Sequence, residues 1–122
     1  EDFESGFYGK TLAQLDLVRI GLPHVRDGGS ITLTTGVTAR AAIPTGSAAA
    51  MASGAIESFV MAAAGEMPRG IRINVASPTV LESATHFHDF FPGFPPASDE
   101  AVGNLYRRAV ESIDTGTTYI LD

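Results

Sequence analysis

Apolar residues at Tyr8, Leu12, Leu15, Val18 and Leu22 recur at spacings of three and four. That period lines them along one face of an amphipathic helix over about residues 3–25, with Pro23 marking its approximate end. The period then changes. Asp27-Gly28-Gly29 signals a turn, and Ile31-Thr32-Leu33-Thr34-Thr35, rich in β-branched residues and stopped by Gly36, predicts a short strand. Residues 37–46, with Pro44, read as a loop. From Ser47 to about Met67 the chain returns to a helical pattern, but one that is apolar nearly all round. Ile56, Phe59, Val60, Ala63 and Met67 form a bulky face, and Ala48, Met51, Ala55, Ser58 and Ala62 a small one. A helix without an extended polar face is expected to be covered on two sides, by a sheet and by another helix, the latter from a second subunit.

Pro68-Arg69-Gly70 ends that helix, and Ile71, Ile73 and Val75 carry a second strand that stops at Pro78. Residues 79–98 show no period and hold three prolines and four phenylalanines, the composition of a lid or binding loop. Ser98-Asp99-Glu100 caps a last helix patterned by Val102, Leu105, Tyr106, Ala109 and Val110, and its acidic first turn suits the helix dipole. Asp114-Thr115-Gly116 leads into a closing strand, residues 117–121. Helix, strand, helix, strand, lid, helix, strand predicts an α/β fold: part of a doubly wound parallel sheet, organised around the strand–helix–strand unit of residues 30–78. Such sheets present their chemistry at the carboxyl ends of the strands. Three strands with an open edge would be a marginal unit by themselves.

Composition narrows the function classes. The chain has 122 residues, room for one domain and one core, and 44% hydrophobic against 18% charged residues marks it as globular. A formal charge of −6 with 8 Lys and Arg disfavours nucleic acid and anionic membranes, both of which require clustered cations. There is no cysteine, so no disulfide framework and no thiolate metal site is expected, and a reducing, cytoplasmic setting is compatible. The longest unbroken apolar run, residues 59–64, is too short to span a bilayer. The chain starts at Glu1, without an initiator methionine and inside the predicted helix, which leads to the expectation that sequence upstream is missing.

Two stretches invite specific chemistry. Gly6-Phe7-Tyr8-Gly9-Lys10-Thr11 resembles a phosphate loop, but two residues separate its glycines where four are needed and no strand precedes it. His86 and His88 alternate on an extended segment, so either could act as an acid from the lid. Without a third ligand nearby, a metal is not expected there.

Leu22-Pro23-His24, Gly29-Ser30-Ile31, Ala55-Ile56-Glu57-Ser58-Phe59 and above all Arg72-Ile73-Asn74-Val75-Ala76-Ser77-Pro78 resemble the C-terminal half of a short-chain dehydrogenase/reductase, and Gly116 before a terminal strand fits that family's ending. The resemblance implies a Rossmann-type sheet whose glycine-rich dinucleotide loop lies in an N-terminal half not present in this sequence. It implies NAD or NADP as cofactor, a small carbonyl or alcohol substrate, and a homodimer or homotetramer. The family's chemistry uses a Tyr, a Lys four residues later, a Ser and an Asn; the lysine's charge beside the phenol lowers its pKa. In ungapped register these positions fall on Ala49, Ser53, Gly36 and Lys10. All four are changed, and residues 30–78 contain no Tyr and no Lys. The resemblance therefore leaves Thr35 and Lys10 as candidate catalytic groups, with Pro78, Thr79, Val80 and Ser83 bordering the cofactor. Two functions follow as expectations: an oxidoreductase with a non-standard proton relay, or a catalytically silent dinucleotide-binding or dimerising scaffold.

Overall fold

A computed structural model describes residues 2–122. Its elements are α1 (Phe3–Gly6), α2 (Ala13–Gly21), β1 (Ser30–Thr34), α3 (Ser47–Ala63), β2 (Arg72–Pro78), α4 (Asp99–Glu111) and β3 (Thr118–Leu121), with short 3-10 turns between several of them. The strands form one parallel sheet in the order β1-β2-β3, with Leu33 opposite Val75 and Ala76 opposite Tyr119. This is an α/β fold matching the C-terminal part of a Rossmann-type sheet, as the patterning predicts.

The sheet is covered on both faces because its strands alternate two apolar sets. On one side Leu33, Ile73 and Val75 pack with Ile56 and Val60 of α3 and with Val18 of α2. On the other, Ala76 and Tyr119 pack with Leu105 and Ala109 of α4. Residues 71–75 alternate, with Ile71, Ile73 and Val75 apolar and Arg72 and Asn74 between them, and the buried Asn74 is satisfied by donating to the Asp114 carbonyl at 2.9 Å and accepting from the Thr117 N–H at 3.0 Å. At the end of β1, Gln14 on α2 pairs with a strand residue: its Nε2 donates to the Thr34 carbonyl at 2.9 Å, and the Thr34 N–H donates to its Oε1 at 2.8 Å.

Three boundaries differ from the sequence reading. The first helix is not one continuous α-helix over residues 3–25: a π-helical turn, Phe7–Leu12, separates α1 from α2, and the α-helical part ends at Gly21 before a 3-10 turn through Pro23. Spacings of three and four do not distinguish a π turn from an α turn, so periodicity could not reveal it. The long helix leaves α geometry at Ala63 and finishes as a 3-10 turn, Ala64–Glu66. The lid is also more ordered than a loop without periodicity suggests, with a 3-10 segment, Thr85–Phe90, and a parallel bridge from Leu81 to Ala97.

The unbroken apolar run also understates α3. Taken with its 3-10 extension, Ser47–Glu66 is 20 residues of mean hydropathy 1.3, long and apolar enough by those two measures to cross a membrane. Ser53, Ile56 and Val60 are completely buried against the sheet, the placement of a core helix. Met51, Ala55, Ser58 and Ala62, most of the expected small face, are exposed, whereas Ala48 is buried.

Candidate functional site

The carboxyl ends of β1 and β2 open into a cleft of about 530 Å³. Its floor is built by Thr34, Thr35 and Gly36 from the end of β1 and by Pro78, Thr79 and Val80 from the end of β2. Lys10, on the π-helical turn, and Ala49, on the first turn of α3, form one wall. Phe87 and Phe91 of the lid close over it, and Tyr106 of α4 borders the far side. Parallel strands place their carboxyl ends together by construction, which is why segments distant in sequence converge here.

Beneath the floor a polar chain ties all three strand ends. The Thr35 hydroxyl donates to Glu57 Oε2 at 2.6 Å, and the Ser77 hydroxyl donates to the same oxygen at 3.4 Å. The Arg40 guanidinium donates to Ser77 Oγ at 2.7 Å, to the Ser77 carbonyl at 2.9 Å and more weakly to the Gly36 carbonyl at 3.5 Å. Its remaining N–H groups go to Asp122 Oδ1, at 2.8 and 3.2 Å. All five donors of the guanidinium are thereby used, so Arg40 is a clamp and not an anion receptor. On the opposite face of the sheet, Thr34 Oγ1 and the Tyr106 hydroxyl lie 2.6 Å apart.

Of the residues singled out from sequence, Lys10, Thr35, Gly36, Ala49, Pro78, Thr79 and Val80 meet in the cleft. Four others do not. Ser53 is fully buried beneath it, with its hydroxyl unpartnered among the described residues. Ser83 turns away to donate to Asp99 Oδ1 at 2.7 Å, on the exposed rim. His88 Nε2 bonds the Leu81 carbonyl at 2.8 Å, which gives it a structural task within the lid. His86 is exposed, with its ring 4.2 Å from that of Phe87. Among the described residues no His, Cys, Asp and Glu group could hold a metal ion. Thr35 reaches the cleft, but its hydroxyl proton is committed to Glu57, which leaves its oxygen to act as an acceptor. Lys10 is the one ammonium on the cleft wall.

Sequence reasoning missed Glu57, Arg40, Gln14 and Tyr106. Glu57 had a signal: it is a lone carboxylate on a helix otherwise apolar or small. Such a group is retained inside when it is hydrogen-bonded. Tyr106 had none, because it also satisfies the apolar period of α4.

The chain belongs to the short-chain dehydrogenase/reductase family: residues 1–120 match the family described as Enoyl-(Acyl carrier protein) reductase. Among solved structures it is similar to the protein lin1944 from Listeria innocua, at 43% identity and a TM-score of 0.86, over 89% of this chain and 55% of that one. It is similar in fold to a small-chain dehydrogenase in complex with NADPH, at 23% identity and a TM-score of 0.80, over 95% of this chain and 59% of that one. A 3-hydroxyacyl-CoA dehydrogenase type-2 from Mycobacterium avium shares the fold at 19% identity and a TM-score of 0.80, over 98% of this chain and 55% of that one. The chain thus spans little more than half the length of each of these structures. No curated protein matches it.

Proposed function

We propose that the protein is an NAD(P)-dependent oxidoreductase of the short-chain type, acting on a carbonyl or alcohol substrate without the usual Tyr and Lys relay. The observation that carries this reading is the cleft itself: Pro78, Thr79 and Val80 present an apolar ledge at a strand end, facing Lys10 and Ala49 across a space large enough for a heteroaromatic ring and a small substrate. Val37, Ile43, Pro78 and Val80 suit a flat ring, and Thr79 is folded into the wall, so its extra bulk over glycine does not fill the space. A bound nicotinamide would supply hydride chemistry. The chain's own residues would orient the substrate and exclude water through Phe87 and Phe91. Lys10 is the group on the wall whose ammonium carries protons, and it would be the one to pass a proton to a developing alkoxide.

A second reading, a catalytically silent dinucleotide-binding scaffold, draws on a different observation: Ala49 carries no proton, Ser53 is sealed off, and the Thr35 proton is held by Glu57. Calorimetric titration with NADH and NADPH, followed by a panel of simple ketones and alcohols, tests both. Binding with slow turnover is expected. Slow turnover that disappears in Lys10→Met favours the oxidoreductase, binding with no turnover at all favours the scaffold, and no binding at millimolar dinucleotide rejects both. The exposed apolar side chains of Phe3 on α1, Phe7 on the π-helical turn, Leu17 and Ile20 on α2 and Met51 on α3 support self-association into a homo-oligomer. A monomeric mass by light scattering would count against it.

A further inference from the structure

Thr34 and Tyr106 put two hydroxyls side by side on the cleft wall, 2.6 Å apart. They come from different layers: Thr34 ends β1, and Tyr106 stands on α4 one turn after Val102, which lines the cleft with it. The pair is fixed from both sides. Gln14 holds the N–H and carbonyl of Thr34, and Leu105 and Ala109 anchor α4 on the sheet. A hydroxyl has one proton and two lone pairs, and two hydroxyls facing each other form one hydrogen bond. Whichever of the two donates, the proton of the other is left over, and neither oxygen has a further partner among the described residues.

The surroundings decide what that spare proton can recognise. The lid and α4 also bring Leu81, Ala84, Phe87, Phe91 and Val102 to the cleft, none with a polar side-chain atom. In an open cleft solvent can accept the proton. A ligand that covers the pair displaces that solvent, and the proton then meets an acceptor on the ligand or is left unpaired at a cost. We propose that the Thr34–Tyr106 pair is a specificity subsite for a second oxygen: the substrate is a ketone or alcohol whose apolar body carries, away from the reacting carbon near Lys10, an ether, hydroxyl or carbonyl oxygen that accepts the pair's spare proton. The proposal rests on the carbonyl or alcohol reading of the cleft and adds the feature by which one such substrate is told from another.

Two ketones of nearly the same shape test it, since para-methoxyacetophenone has an ether oxygen where para-ethylacetophenone has a methylene. Calorimetry on the full chain in the presence of NADP+, which has no hydride to give, reads their binding without turnover. The unsubstituted protein should bind the methoxy ketone about three- to tenfold more tightly. Thr34→Val combined with Tyr106→Phe removes both hydroxyls and strands neither partner, so it should melt within about 3 °C of the parent while the ratio of the two dissociation constants falls to about one. Thr34→Ser keeps the pair and should keep the ratio. Equal binding of the two ketones by the unsubstituted protein, binding of neither, or a preference that survives the double substitution overturns the subsite. Preferential binding of the methoxy ketone without its reduction when NADPH is supplied leaves the subsite standing and removes the oxidoreductase reading; reduction of both ketones without preference does the reverse.

Discussion

Replacing Arg40 by Met keeps most of the aliphatic stem and removes the guanidinium that ties the strand ends. Its bonds are unequal in worth. The ion pair with Asp122 is exposed on the acid's side, with side-chain exposures of 23% and 65%, and such pairs contribute about 0–1 kcal/mol. Ser77, by contrast, is fully buried, and both its carbonyl and its hydroxyl accept from Arg40. Leaving one such group without its charged donor costs about 1–3 kcal/mol. The hydroxyl can still turn to Glu57, so the carbonyl dominates, and the expected loss is about 2–3 kcal/mol in total. For a chain of this size that lowers the melting temperature by roughly 10 °C. Thermal unfolding by circular dichroism reads this directly. Arg40→Lys, a point charge without the planar fork, should recover about half of the loss. Asp122→Asn should cost less than about 1 kcal/mol, and that cost should shrink further in high salt. If Asp122→Asn proves as costly as Arg40→Met, or if Arg40→Met melts within 2 °C or so of the parent, the clamp does not rest on Ser77 and the reasoning fails.

Two further outcomes follow from burial. Ser53→Ala removes an unsatisfied hydroxyl in a fully buried site and should leave stability unchanged or raise it by up to about 1 kcal/mol, whereas Ser53→Lys should destabilise by more than about 3 kcal/mol, both read by urea unfolding. A lysine at this position is therefore expected to damage the fold. The Tyr119 phenol is pushed above its ordinary pKa, first by burial and then by the hydrogen bond it donates to Asp114 at 2.6 Å, so the folded state holds that proton more tightly than the unfolded one. Its stabilising contribution is complete below pH 10 and is lost as the pH rises beyond that. Tyr119→Phe should flatten the alkaline limb of a stability-versus-pH profile, and an unchanged limb would refute the assignment.

The sheet and its helices were legible because side-chain period records which faces are buried. Leu33, Ile73 and Val75 alternate as the parallel strands require, and Val102, Leu105 and Ala109 mark the one face of α4 that meets the sheet. Gly36 and Ala49, singled out by a register counted from Gly29, both line the cleft. Ser83 lies outside the cleft lining, its hydroxyl held by Asp99, a residue whose proximity depends on the bridge between Leu81 and Ala97. Glu57 escaped because its partners, Thr35 and Ser77, come from two different strands and meet only after the crossover is folded. The partners of Arg40 are spread wider still, from Gly36 to Asp122, and no local spacing encodes such a set.

The bridge between Leu81 and Ala97 has a meaning for how this molecule can change. The Ala97 N–H donates to the Val80 carbonyl at 2.9 Å, and the Glu82 N–H donates to the Ala97 carbonyl at 2.6 Å, so the aromatic-rich segment leaves and rejoins the body through one narrow neck. A loop closed at its neck can be rewritten, lengthened or shortened with little effect on the elements outside it, because its ends stay where they were. Phe87 and Phe91 can therefore be exchanged for other shapes while the clamp on the strand ends stays whole. The lining of the cleft mouth and the integrity of the sheet are held by separate parts of the chain, and each is free to drift under its own selection.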